Sequence, residues 1–261
     1  VTFRADPANT APVELSFAAT ATADNYVWGF NDANYVTVKG LTLTATGSTY
    51  ARVINFTGIS TDIVIQDNIL NGLANATTTS TNIAVIMNNT TTSNKLENSS
   101  ILNNQINGGS YGVYWYGVGT TDFEVGNTID SNDIDGFYYA GIWAYYQDTI
   151  STVGNNVTSL GVYSTEYGIR HYYNDNLTSV GNKVVVSGTS TSYGYYIYYC
   201  DASSTNHSLV ANNMVSALDN SGTAYGMYFY NCTYLVVFNN SMLVNAGSST
   251  GGHAACLGGP S

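Results

Sequence analysis

The phrase V-G-N returns three times along the chain, in "FEVGNTI", "STVGNNV" and "TSVGNKV". A phrase that recurs at a nearly fixed step restricts a chain to architectures built by repetition. With the third residue of each phrase as a marker, the series extends to Asp67, Asn104, Asn127, Asn155, Asn182, Asn212 and Asn239, a mean step of about 29 residues. Two residues before the markers stand Ile65, Leu102, Val125, Val153, Val180, Val210 and Val237, and two after stand Ile69, Ile106, Ile129, Val157, Val184, Met214 and Ser241. Apolar residues flanking a polar one at period two predict a strand whose flanks face a core, while the marker faces away or sits in a bend. Asparagines stacked at such a bend are expected to form side-chain amide ladders.

A second series lies about midway between these markers: Gly112, Gly141, Gly168, Gly194 and Gly226, preceded by Tyr111, Ala140, Tyr167, Tyr193 and Tyr225. Each repeat therefore holds two or three short strands, joined by Thr/Ser/Gly/Asn turns without hairpin spacing. No segment carries a convincing helical period with caps. Strands of this kind fit a coil in which each turn stacks on the last in parallel, an all-β parallel β-helix of about eight to nine rungs, roughly 40 Å long. We expect a single domain over 1–261, with 1–24 an opening rung, 25–252 regular rungs and 253–261 an incomplete last rung. No capping helix is expected at either end, and uncovered rungs would expose unpaired backbone groups.

In such a coil equivalent positions of successive rungs form columns. Counting from the marker glycine, Val113, Ile142, Ile169, Tyr195 and Met227 (one residue on) and Trp115, Ala144, His171, Ile197 and Phe229 (three on) should look inward. The alternate positions should look outward: Tyr114, Trp143, Arg170, Tyr196 and Tyr228, then Tyr116, Tyr145, Tyr172, Tyr198 and Tyr230. Nine of these ten outward residues are aromatic. Tyrosines form strands well and stack along a ladder at about 0.5 kcal/mol per pair, which is one account of them. A monomer seldom exposes so large an apolar patch, which favours the other account, a contact strip for pyranose rings or for another protein subunit.

Charged residues make up 9% of the chain, its net charge is −11, and it has only six Lys and Arg. No basic patch can track phosphates, so nucleic acid is excluded as a partner. No apolar run approaches the ~20 residues of a membrane helix, so no membrane insertion is expected. Asn, Thr, Ser, Gly and Tyr supply the polarity, a composition that points to an extracellular or cell-surface location. The segments "ADNYVWGFNDANYVTVKGLTLTATGSTYARVINFTG", "IQDNILNG" and "SYGVYWYG" resemble the right-handed parallel β-helix repeats of large secreted or cell-surface proteins of Bacteroidota and related bacteria. That resemblance covers essentially the whole chain and implies the handedness, as well as further rungs before Val1. Its motifs are structural and specify no reaction.

Chemistry-bearing groups are few. Asp130, Asp133 and Asp135 in "DSNDIDG" are a weak candidate for Ca²⁺, set against a solvated bend. Beyond that Ca²⁺, no cofactor is expected. The segment "EYGIRHYYND" gathers Glu166, Arg170, His171 and Asp175, of which only Arg170 should project beside the aromatic strip, while His171 reads as a core histidine. No acid–base pair with a hydrolase or lyase pattern emerges. Cys200 and Cys232 each lie six residues after their marker glycine and should stack on neighbouring rungs, either as a disulfide or as a reduced pair. Cys256 is left over. These features together predict a non-enzymatic structural or adhesive surface protein that self-associates end to end or side by side, in a filament or as part of a large adhesin. A carbohydrate-binding β-helix, or a polysaccharide lyase or hydrolase, is the alternative.

Overall fold

The computed structural model describes residues 1–9, 11–88, 94–218, 221–247 and 251–259. The chain winds into a parallel β-helix of about nine turns, with three long sheets running along it. The first sheet runs from Thr2–Arg4 to Leu235–Phe238, the second from Glu14–Phe17 to Ser241–Asn245, and the third from Trp28–Asn31 to Gly252–Gly258. Each turn supplies one strand to each sheet, and the ladders between named strands are parallel. Helical structure among the described residues amounts to two 3₁₀ turns, Thr22–Asp24 and Thr81–Ile83. Neither is long or apolar enough to cross a membrane.

The corner between the first and second sheets explains the repeat. There the chain places one residue in the left-handed region, at Asp67, Asn103, Ser131, Gly154, Gly181, Asn212 and Asn239. Gly, Asn and Asp tolerate that region best. The next residue is an asparagine turned inward: Asn68, Asn104, Asn132, Asn155, Asn182, Asn213 and Asn240. Asn68 Oδ1 accepts from Leu41 N–H, and from Asn104 on each Oδ1 accepts from the backbone N–H and the Nδ2 of the asparagine one rung earlier, as Asn182 accepts from Asn155 at 2.9 and 3.0 Å. Each Nδ2 also donates to a strand carbonyl, as Asn155 does to Ile129 at 2.7 Å. The amide ladder thus closes both the side-chain and the backbone hydrogen bonds of a buried corner, which an apolar residue could not do.

This register corrects part of the sequence reading. Asn104, Asn155 and Asn182 are ladder residues, but Asp67, Asn212 and Asn239 are the left-handed residues just before the ladder. Asn127 belongs to the preceding corner, where it accepts from Ser99 N–H at 3.0 Å. The phase shifts accordingly. The core column of the first sheet is Ile65, Ile101, Ile129, Thr152, Ser179 and Val210. Leu102, Val153 and Val180 align with Gln66 and Asp130 and face outward, as does the exposed Val125. Ile69 and Met214 are also exposed, whereas Ile106, Val157 and Val184 are fully buried as expected.

The five-glycine column behaves as its spacing implies. At Gly168 the strand bends so that two successive residues point inward, and a Cβ there would lie 2.2 Å from Val184 Cγ1 and 2.6 Å from the carbonyl of Gly194. Gly112, Gly141, Gly194 and Gly226 are hemmed in the same way, each against the carbonyl of the next rung. The bend can nest only where side chains are missing.

Candidate functional site: a tyrosine face on the third sheet

From the fourth rung on, the third sheet lengthens into the strands Tyr111–Tyr116, Ala140–Asp148, Thr165–Asp175, Thr191–Tyr198 and Thr223–Tyr230. Their register is the one the glycines predict: Tyr114, Trp143, Arg170, Tyr196 and Tyr228 pair in sequence, as do Tyr116, Tyr145, Tyr172, Tyr198 and Tyr230. The alternating positions from Val113 to Met227 and from Trp115 to Phe229 are buried in the core. The ten strip residues therefore lie on one outer face. A third outward column, Tyr111, Ala140, Tyr167, Tyr193 and Tyr225, borders them on one side. Within it, Trp143 leans into the gap left by Ala140 and meets Tyr111 and Tyr167 edge-on at 5.6 and 5.9 Å.

A fourth column comes from the corner beyond. Tyr146, Tyr173 and Tyr199 sit at φ of 54°, 51° and 51° and stack at 5.5 and 5.0 Å. A left-handed tyrosine costs about 1–2 kcal/mol. The same corner uses Asn231 one rung later, at φ 49°. The sequence signal for this column is the doublet in "YYQD", "YYND" and "YYCD", which column counting from the glycine passes over because alternation ends at the corner.

The rings are stacked like coins along the helix axis. Tyr116, Tyr145, Tyr172, Tyr198 and Tyr230 follow one another at centroid distances of 4.8, 4.5, 4.7 and 4.6 Å, with planes within 15°. Neighbouring rings thus cover each other's faces, and the surface presents ring edges and rows of hydroxyls. Burial pushes the Tyr145, Tyr172 and Tyr198 phenols up, and that of Tyr167 to about 12, with Arg170 pulling the other way at Tyr145, Tyr172 and Tyr167. They remain neutral and able both to donate and to accept hydrogen bonds.

Arg170 interrupts the stack with a charge. Its guanidinium lies 3.8 Å from the Trp143 ring centre and 4.9 Å from that of Tyr196, in place of a ring. Tyr145, Tyr167 and Tyr172 complete the cage at 5.5, 4.9 and 5.1 Å.

The other sequence candidates do not converge on this face. His171 is fully buried in the core and hydrogen-bonded to Thr152 and Asn174, and burial lowers its pKa to about 3. Glu166 accepts from the backbone N–H groups of Val162 and Tyr163, and burial raises its pKa. The aspartates are divided between two sheets. Asp130 lies on the first sheet, accepting from Val153 N–H and Ser151, whereas Asp133 and Asp135 lie on the second, beyond the Ser131–Asn132 corner. No group of three metal-ligating residues occurs among the described residues. Cys200 and Cys232 do stack on adjacent rungs, as free thiols rather than a disulfide, hydrogen-bonded to each other. They occupy the ladder positions that Gln147 and Asn174 fill in earlier rungs, and Asn174 N–H donates to Cys200 Sγ at 3.4 Å. Cys256, also free, ends the Tyr228 column.

Sequence reasoning missed Glu124. This carboxyl is completely buried and accepts from Asn88, Leu96 N–H, Trp115 Nε1 and Gln147. Burial raises its pKa, and those donors act against the rise. Its role is to bind an inner corner together.

No protein-family model matches the chain, and no curated protein sequence does. Solved structures resemble it in fold. The periplasmic alginate epimerase AlgG superposes with a TM-score of 0.53 at 17% identity, over 84% of this chain and 47% of that one. The Dettilon tailspike protein gives 0.52 at 13%, over 88% and 46%. PfbA, a surface adhesin of Streptococcus pneumoniae, gives 0.51 at 14%, over 86% and 64%. The chain thus spans about half to two thirds of the length of these structures, and at such identities they share with it the parallel β-helix and nothing finer.

Proposed function

We propose that this is a non-catalytic, adhesive β-helix of the cell exterior that holds a glycan chain along the tyrosine face. The observation that carries this reading is the confinement of the tyrosines. The same sheet in the first three rungs places Gly29, Asn55 and Met87 in the column that later holds Tyr114, Trp143, Arg170, Tyr196 and Tyr228. The fold does not need the rings, yet the later rungs install them even at left-handed positions. Solved neighbours named for alginate, for a tailspike and for surface adhesion support the reading.

Because the ring faces are taken by neighbouring rings, the glycan lies across ring edges and hydroxyl rows rather than flat on single rings. Phenol hydroxyls repeating at the rung spacing offer paired donors and acceptors to sugar hydroxyls, on a surface with little rotamer entropy left to lose. The test is retention on immobilised polysaccharides, neutral and acidic. Tyr145→Thr with Tyr172→Thr keeps strand propensity while removing two hydroxyls from the middle of a row, and should reduce retention at least tenfold. Unchanged retention, or no retention of any polysaccharide by the unaltered chain, would sink the reading.

A further inference from the structure

The tyrosine face carries one charge. Its outward columns, from Tyr111 to Tyr230, contain no Asp or Glu, and Arg170 is the one cation in them. The chain as a whole carries −11, so a lone cation on an uncharged face is the feature that calls for an explanation. Of the five other cations, Lys39 faces Asp67, Lys95 faces Glu97 and Asp122, Arg52 donates to Asn55, Asn82 and the Thr81 carbonyl, and Arg4 and Lys183 are exposed to solvent. Arg170 has no carboxylate partner among the described residues, and its Nε–H is buried without an acceptor. Its hydrogen bond goes to the Tyr139 hydroxyl, a neutral group.

A half-buried guanidinium held flat between Trp143 and Tyr196 is weakly hydrated and fixed in orientation. A planar fork in that state is prepared for a carboxylate, which it can grip bidentately. A mere filler for the stack would be a ring, as it is at Tyr196 and Tyr228. One fork on a face five rungs long, in an otherwise acidic protein, also limits how much charge a ligand can bring. A polymer with an acid on every sugar would meet one cation and a repulsive surround.

We infer that the face takes a largely neutral glycan bearing sparse carboxylates, with Arg170 receiving the acidic sugar and the hydroxyl rows receiving the neutral ones. This rests on the glycan-binding reading above and specifies its substrate class.

The experiment compares three probes on the full chain: glucuronoxylan, the same xylan stripped of its glucuronate, and polygalacturonate. The unaltered chain should bind glucuronoxylan roughly tenfold more tightly than stripped xylan, since a charge-assisted pair is the only added contact. That margin should shrink with added salt, and polygalacturonate should bind more weakly than glucuronoxylan. Arg170→Tyr continues the aromatic column, so the fold is kept, and it should lose the margin while still binding stripped xylan. Arg170→Gln should behave likewise. Equal binding of the two xylans, tightest binding of polygalacturonate, or a margin that survives both substitutions would overturn the inference and leave the glycan reading standing. Failure to bind all three probes would count against both.

Discussion

The first three rungs and the five that follow share one backbone plan and differ in what they hang on it. In the third sheet the early strands are short, Trp28–Asn31, Ile54–Thr57 and Ile86–Asn88, and their outward residues are unremarkable. The later strands reach eleven residues and carry four columns of aromatic side chains. The interior changes too. Phe30 and Phe56 stack at 4.9 Å in the early core. In the later core a polar chain runs from His171 through Thr152 and Ser179 to Tyr195 and Asn213. The coil itself is specified by the amide ladder and the glycine bends, so the side chains of the later rungs are free to serve something else.

The largest expected effect lies in that polar interior. His171 has a folded pKa of about 3, lowered by burial from an unfolded value near 6.5. Between those values the unfolded chain binds the proton and the native one does not. Stability from this group is therefore full above pH 6.5 and falls by about 1.4 kcal/mol per unit below it, to a total loss of about 4–5 kcal/mol near pH 3. Glu124, Asp130, Glu166 and Asp175 have raised pKa values and act in the opposite direction. The quantity to measure is therefore the difference between the unaltered chain and His171→Gln in urea unfolding across pH. Parallel curves would mean that the later core is not governed by its histidine.

Next in size is a comparison of the same ladder in the two regions. Asn104→Ala removes the acceptor of Asn68 N–H and Nδ2 and the donor to Ile65, and should cost about 3 kcal/mol. Asn182→Ala should cost about 4 kcal/mol, because its Nδ2 also lies 3.0 Å from the Tyr195 hydroxyl. If either costs less than about 1 kcal/mol, the ladder does not specify the coil. Gly168→Ala follows at about 2–3 kcal/mol, since the new Cβ meets Val184 and the Gly194 carbonyl. A neutral result in thermal unfolding would show that the bend has room.

Much of this was legible in the sequence, for physical reasons that also mark where legibility ends. The register of the tyrosine columns followed from Gly168 and its equivalents, because only glycine fits that bend and its spacing therefore counts rungs. Corner phase was harder. A left-handed residue and a ladder residue are both well served by asparagine, so Asn212 and Asn213 cannot be told apart by type, and choosing the first of such a pair reverses the predicted facing of the strand before it. Thr152 and Ser179 were hidden because a polar interior position looks like a surface one until its partners are known. Stacking along the ladder was one of the two accounts the sequence offered for the strip, and choosing it over rings with open faces depends on rotamers that no periodicity encodes.

The smallest stability effect should come from Tyr173→Asn, and it separates the two regions most sharply. Asparagine is the residue this corner uses at Asn231, and it takes the left-handed region at less cost than tyrosine, a gain of about 1 kcal/mol. Against this, the variant loses the stacks with Tyr146 at 5.5 Å and Tyr199 at 5.0 Å, each about 0.5–1 kcal/mol. The two partly offset each other, so unfolding should move by no more than about 1 kcal/mol. Polysaccharide retention should nonetheless fall several-fold, because a ring edge and a hydroxyl leave the border of the face. A variant that loses stability and keeps retention would place the left-handed tyrosines among the supports of the coil, and the contrast between early and late rungs would then be one of stability rather than of binding.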